Sequence, residues 1–73
     1  MTAREPDRLP RGVESWEEWR EFYADYRKEF VTEKIDRTRY RAYLSLLGLG
    51  AEEIEADLAE AFEARRQWRK QEN

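Results

Sequence analysis

Residues 15–30 read SWEEWREFYADYRKEF. Trp16, Trp19, Phe22, Tyr23, Tyr26 and Phe30 supply six of the ten aromatic side chains in the 73-residue chain. At about 100° per residue, all six fall within an arc of about 120°, the mark of an amphipathic helix. Five of them, Trp16, Trp19, Tyr23, Tyr26 and Phe30, follow the alternating steps of three and four found along a helix seam. Ser15 is a good N-cap, and Glu18 three residues on completes a capping box. Glu17 and Glu18 also place negative charge where the helix dipole favours it. This stretch decides the class: an all-α domain that packs through rings.

Downstream, the helical phase breaks after Val31. Tyr40, Tyr43, Leu44 and Leu47 form a second stripe, out of register with the first. No Pro or Gly marks the joint. Asp36 is one candidate N-cap, with Ile35 and Tyr40 as a hydrophobic staple, and Thr32 is another. A single helix from 15 to 47 is the alternative. Gly48 suits the left-handed position after a helix, with Leu49 making the apolar contact beyond it. Gly50 then caps a third helix, in which Ala51, Ile54, Leu58, Ala61, Phe62 and Trp68 share an arc of about 120°. The spacing therefore predicts helices near 15–31, 36–47 and 51–70, antiparallel neighbours in a small three-helix bundle over residues 15–73. The expected core is Trp19, Tyr23, Tyr26, Phe30, Tyr40, Tyr43, Leu44, Leu47, Ile54, Leu58, Ala61 and Phe62.

Upstream, residues 1–14 read as an extended or flexible arm, because Pro6, Pro10 and Gly12 break any regular helix. Leu9 and Val13 are its sizeable apolar anchors after Met1. It is expected either to fray or to lie as a strap across the bundle, Leu9-Pro10 against it.

Composition bounds the chemistry. The chain has no Cys and no His. Disulfides, thiolate metal sites and the commonest general base are thereby absent. No Gly-rich phosphate loop and no nucleophile–His pair is present. No enzymatic activity, metal or cofactor is expected. No apolar run reaches the roughly 18 residues of a membrane span, and charged residues interrupt any signal-peptide core, so a cytoplasmic protein without membrane contact is expected. Arginine outnumbers lysine 11 to 3, a preference that fits GC-rich bacterial or phage coding.

Charge is segregated, although the net is only −3. Residues 51–60 hold five acids and no base. Arg37, Arg39 and Arg41 open the second helix, where cations oppose the dipole. With the second and third helices antiparallel, Arg41 is expected near Asp57 and Arg37 near Glu60, as ion pairs that set register. Arg37, Arg39 and Arg41, with a basic last turn of Arg65, Arg66, Arg69 and Lys70 around Trp68, give the alternative of a nucleic-acid-associated regulator. The segment Tyr43–Leu58 has the outline of a helix-turn-helix, but its recognition positions would be Glu52, Glu53 and Glu55, which phosphate repels. Nucleic acid is not the expected partner.

Small domains often gain stability by association. Leu46 and Leu49 fall outside the second stripe. Arg65 interrupts the third, and Arg and Trp are enriched at binding hot spots. Trp16, Phe22, Leu46, Leu49, Arg65 and Trp68 are therefore the candidate protein interface. The expectation is a small interaction module, an adaptor, accessory subunit or inhibitor. A twofold homodimer is the simplest way to cover a surplus aromatic face.

Overall fold

A computed structural model describes residues 5–72; residues 1–4 of the arm and residue 73 lie outside the described residues. Three α-helices follow one another, α1 (Trp16–Val31), α2 (Arg37–Leu46) and α3 (Ala51–Glu72), and each packs against the other two. The all-α three-helix bundle measures 40 × 23 × 22 Å.

Local chemistry sets the boundaries. At α1 the Ser15 Oγ accepts from the Glu18 N–H at 3.1 Å. The return bond of the capping box is displaced by one residue, since the Glu18 carboxylate accepts from the Glu14 N–H at 3.0 Å. Asp36 caps α2, accepting from the Arg39 N–H at 2.8 Å. The first two helices are thus separate rods. Their joint is a Schellman turn: the Lys34 N–H bonds the Glu29 carbonyl at 2.8 Å and the Glu33 N–H bonds the Phe30 carbonyl at 3.0 Å. Its left-handed residue is Glu33, at φ 63°, where glycine is the usual occupant. The Glu33 carboxylate is gripped through both oxygens by the Arg69 guanidinium.

α2 ends in a second turn of the same kind, with Leu49 N–H on the Leu44 carbonyl and Gly48 N–H on the Ser45 carbonyl. Here glycine holds the left-handed position, at φ 89°. The Gly50 N–H then donates to the Glu53 carboxylate at 2.9 Å, opening α3. Two costs meet at Gly48. An added Cβ would lie 3.2 Å from Pro6 Cγ, in a backbone region that L-residues avoid. Gly48→Ala is expected to cost about 1–2 kcal/mol from the backbone conformation alone, read as a lower urea midpoint. An unchanged midpoint would contradict this account of the turn.

The core holds Trp19, Phe30, Tyr40, Leu44, Leu47, Leu49, Leu58 and Ala61. Tyr23, Tyr26 and Ile54 are half-buried against it. Tyr43 is also half-buried, its ring tilted against that of Tyr26. Phe62, expected inside, is 36% exposed. It stands at the rim of the α3 apolar arc and touches Phe30 edge-on at 5.1 Å. Leu9 and Val13 of the arm pack on the core. Pro6 and Pro10 lie against Gly48, and Glu5 pairs with Arg20 at 2.6 Å. Residues 5–14 therefore run along the bundle and cover the α2–α3 turn.

Candidate functional site

Asp57 has no exposed surface, although it sits among the five acids of early α3. Helical spacing explains this, because residue 57 lies only about 40° from Ala61 on the helix wheel. Its carboxylate is met from both other helices. Tyr40 OH donates to Oδ1 at 2.5 Å, Tyr23 OH donates to Oδ2, and Arg27 donates to Oδ1 at 2.9 Å. Arg27 also donates to both phenol oxygens, at 3.3 Å to Tyr40 and 3.2 Å to Tyr23. The result is a closed ring of two phenols, one carboxylate and one guanidinium, joining α1, α2 and α3.

The electrostatics follow from this geometry. Burial opposes the Asp57 charge, but the Tyr23, Tyr40 and Arg27 donors outweigh it and hold the carboxyl below its usual range. Burial, helped by Asp57, pushes the Tyr40 phenol up. Burial also works against the Arg27 charge, yet the bonds to Asp57 and Tyr40 keep that guanidinium firmly protonated. A carboxylate without exposed surface offers a substrate no approach, so this cluster serves the fold.

The expected ion pairs change accordingly. The cation beside Asp57 is Arg27 of α1, not Arg41, and Arg27 also reaches Glu60 at 3.6 Å. Arg41 pairs instead with Glu55 at 3.0 Å. Arg37 is exposed and makes no ion pair among the described residues. The physical reason is azimuth. Asp57 points inward between α1 and α2 and Glu60 toward α1, whereas Glu55 lies on the outer, exposed side of the α2–α3 contact, where Arg41 stands.

Arg65 also differs from its expected interface role. It folds back to donate to the Phe30 carbonyl at 3.1 and 2.8 Å, with its guanidinium 3.9 Å above the Phe30 ring. It thereby adds a second donor to a carbonyl at the end of α1 that already accepts from the Glu33 N–H. With Phe62, Arg66 and Arg69 it lines a shallow depression of about 240 Å³. Leu49 is buried, 6% exposed, because the apolar contact after Gly48 claims it. Trp16 is half-buried against the core and edge-on to Trp19 at 6.1 Å. Trp68 is half-buried but lies outside the core cluster.

The two remaining interface candidates, Phe22 and Leu46, fall on the face between α1 and α2. Phe22 stacks on Tyr26 at 6.1 Å, and Tyr26 meets Tyr43 across the helices at 4.4 Å. Phe30 opposite Tyr40 at 4.8 Å fixes the antiparallel register, which places Leu46 within one helical turn of Phe22. Leu46 is 69% exposed, the most exposed large apolar side chain among the described residues. Burial first, then Tyr43, Glu29 and Asp25, push the Tyr26 phenol above its usual value. Those two carboxylates therefore border the ladder on its α1 edge.

Sequence reasoning missed Arg27, Tyr26 and Tyr43 as members of these clusters. A signal existed for the first: Arg27 stands one turn after Tyr23, beside the aromatic arc, and Asp57 lies beside the apolar arc of another helix. Among the described residues no group of acids gathers to hold a metal ion, and no helix is long and apolar enough to cross a membrane. Comparison with family models, with curated proteins and with solved structures finds no match.

Proposed function

We propose that this chain is a small non-enzymatic protein-interaction module, an adaptor, accessory subunit or inhibitor, that binds through the α1/α2 face. One observation carries the reading: Leu46, 69% exposed, continues a ladder of half-buried rings, Phe22, Tyr26 and Tyr43. Interface cores favour aromatic side chains in this way. The sides of the bundle that involve α3 differ. There Arg27–Asp57, Arg27–Glu60 and Arg41–Glu55 link the helices, and Arg65 and Arg69 tie the end of α3 to the α1–α2 joint. A chain without His or Cys has only carboxylates, Tyr and Lys for acid–base chemistry and no imidazole to activate its Ser and Thr hydroxyls, which supports the non-enzymatic reading.

The nucleic-acid alternative relied on Arg37, Arg39, Arg41 and the basic last turn. Arg41, Arg65 and Arg69 are engaged by Glu55, the Phe30 carbonyl and Glu33, which weakens it.

A photo-crosslinking side chain at Ala42, exposed one turn before Leu46, tests the proposal in the cells that make the protein. Adducts with a protein are expected, and Leu46→Asp should abolish them. The same probe at Ala59, exposed on α3, should give none. Absence of adducts at 42, or equal adducts at 59, would contradict the reading.

A further inference from the structure

The α1/α2 face has two unlike edges. Helical spacing places Asp25 and Glu29 beyond Phe22 on the α1 edge. It places Arg39 beside Leu46, beyond Tyr43, on the α2 edge. None of these three side chains makes an ion pair among the described residues. The ion pairs that do join two helices among those residues all end on α3. The face thus presents an apolar ladder flanked by unanswered negative charge on one side and unanswered positive charge on the other.

We propose that the occupant of this face is a second copy of the chain, related by a twofold axis running along the helices. The inference rests on the function proposed above and names its partner. An isologous contact requires one patch to complement itself. Two twofold arrangements can bring such a face onto its copy. An axis across the helices lays α1 on α1 and sets acid against acid. An axis along the helices lays α1 of each copy over α2 of the other, and sets acid against base. Like charges opposed at an interface cost affinity and opposite charges favour it, so the second arrangement is selected. The register sharpens the match. Tyr40 lies opposite Phe30, so Arg39 stands level with the last turn of α1, within one turn of Glu29 of the other copy. By the same register Leu46 comes within one helical turn of Phe22 of the other copy. Size is adequate too: a standard interface covers about 800 Å² per partner, roughly one-seventh of the 5416 Å² surface, and this is one of three sides of the bundle.

Sedimentation equilibrium of the full chain, from about 5 µM to about 500 µM, provides the test, since interfaces of this size span micromolar and tighter affinities. A mass of twice 8.9 kDa is expected. Leu46→Glu should leave only the single-chain mass, with helicity unchanged by circular dichroism. Arg39→Glu and Glu29→Arg should each weaken the dimer about tenfold or more, and the two together should restore it. A dimer lost in L46E but not rescued by the double swap would overturn the axis along the helices. A mass of 8.9 kDa at every concentration would overturn the second copy. If crosslinks from Ala42 to another protein persist in that case, the interaction face stands and only its occupant is wrong. If both dimer and crosslinks are absent, both readings fall.

Discussion

Asp57→Asn is expected to unfold the domain at neutral pH. The carboxylate has no exposed surface and receives donors from Tyr40, Tyr23 and Arg27. An asparagine amide would turn its own N–H groups toward some of those donors and leave the Arg27 guanidinium without its nearest counter-charge. Removing one partner of a buried pair costs about 3–5 kcal/mol. A single core of this size supplies a comparable amount, so nothing remains in reserve. Circular dichroism and urea titration read the result; a variant with the parent midpoint would refute the role given to the ring. Replacing both charges, Arg27→Met with Asp57→Leu, should cost less than the sum of the single changes, because no orphaned charge is left.

The same ring sets the acid limit. Folding depresses the Asp57 pKa, because its three donors outweigh the opposing effect of burial. A depressed carboxyl stabilises the fold fully above the unfolded-state value of about 3.9, and the contribution fades as pH falls through the folded value. Stability should therefore hold near neutrality and drop below about pH 4. Glu33, lowered by its bond to Arg69, acts in the same direction, but at an exposed site where salt weakens it. The double apolar variant should show a shallower acid slope than the parent.

Trp19→Ala is expected to cost about 3–5 kcal/mol, the usual loss for a buried large aromatic. Trp19 is completely buried, stacked on Tyr23 at 5.5 Å, and its indole N–H donates to the Leu47 carbonyl at 2.8 Å. That bond serves a carbonyl left open at the C-cap of α2. One side chain of α1 thus fills the core and closes another helix. Trp19→Phe retains part of the volume and loses the bond, so its cost should fall between the parent and the alanine variant. Urea titration of the three proteins measures this, and a Trp19→Ala loss below about 1 kcal/mol would contradict the placement.

Features that depend on neighbours in sequence were legible. Ser15, Asp36 and Gly48 announce helix ends through backbone chemistry, and the arcs of rings announce which sides turn inward. Features that depend on how helices rotate against one another were not. Asp57 stands in the sequence as one of five acids early in α3, with Arg41 as its expected partner, yet α3 is turned so that this residue enters the core. Arg27 then had to be its cation, since Arg41 stands on the exposed side of the α2–α3 contact and pairs with Glu55. Glu33 in a left-handed turn gave no sign either, because the side chain that holds it, Arg69, lies 36 residues away. For the candidate site, Phe22 and Leu46 were legible as apolar residues at the edges of their stripes. Leu49 shared that property and is buried, because the turn after Gly48 reclaims it. Arg65 broke its stripe in order to cap α1, a purpose that no pattern within α3 reveals.

Solvent paramagnetic relaxation, measured by NMR over a dilution series, tests most directly whether the bundle is closed around α3 and open along α1 and α2. A soluble nitroxide should broaden the Leu46 methyls and the exposed edges of Phe22 and Tyr43 in dilute protein, and spare the Trp19 indole N–H. At high concentration protection should appear on that ladder, with Phe62 and Trp68 as accessible as before. Broadening of Trp19, or protection that develops along α3 while Leu46 stays open, would contradict the account.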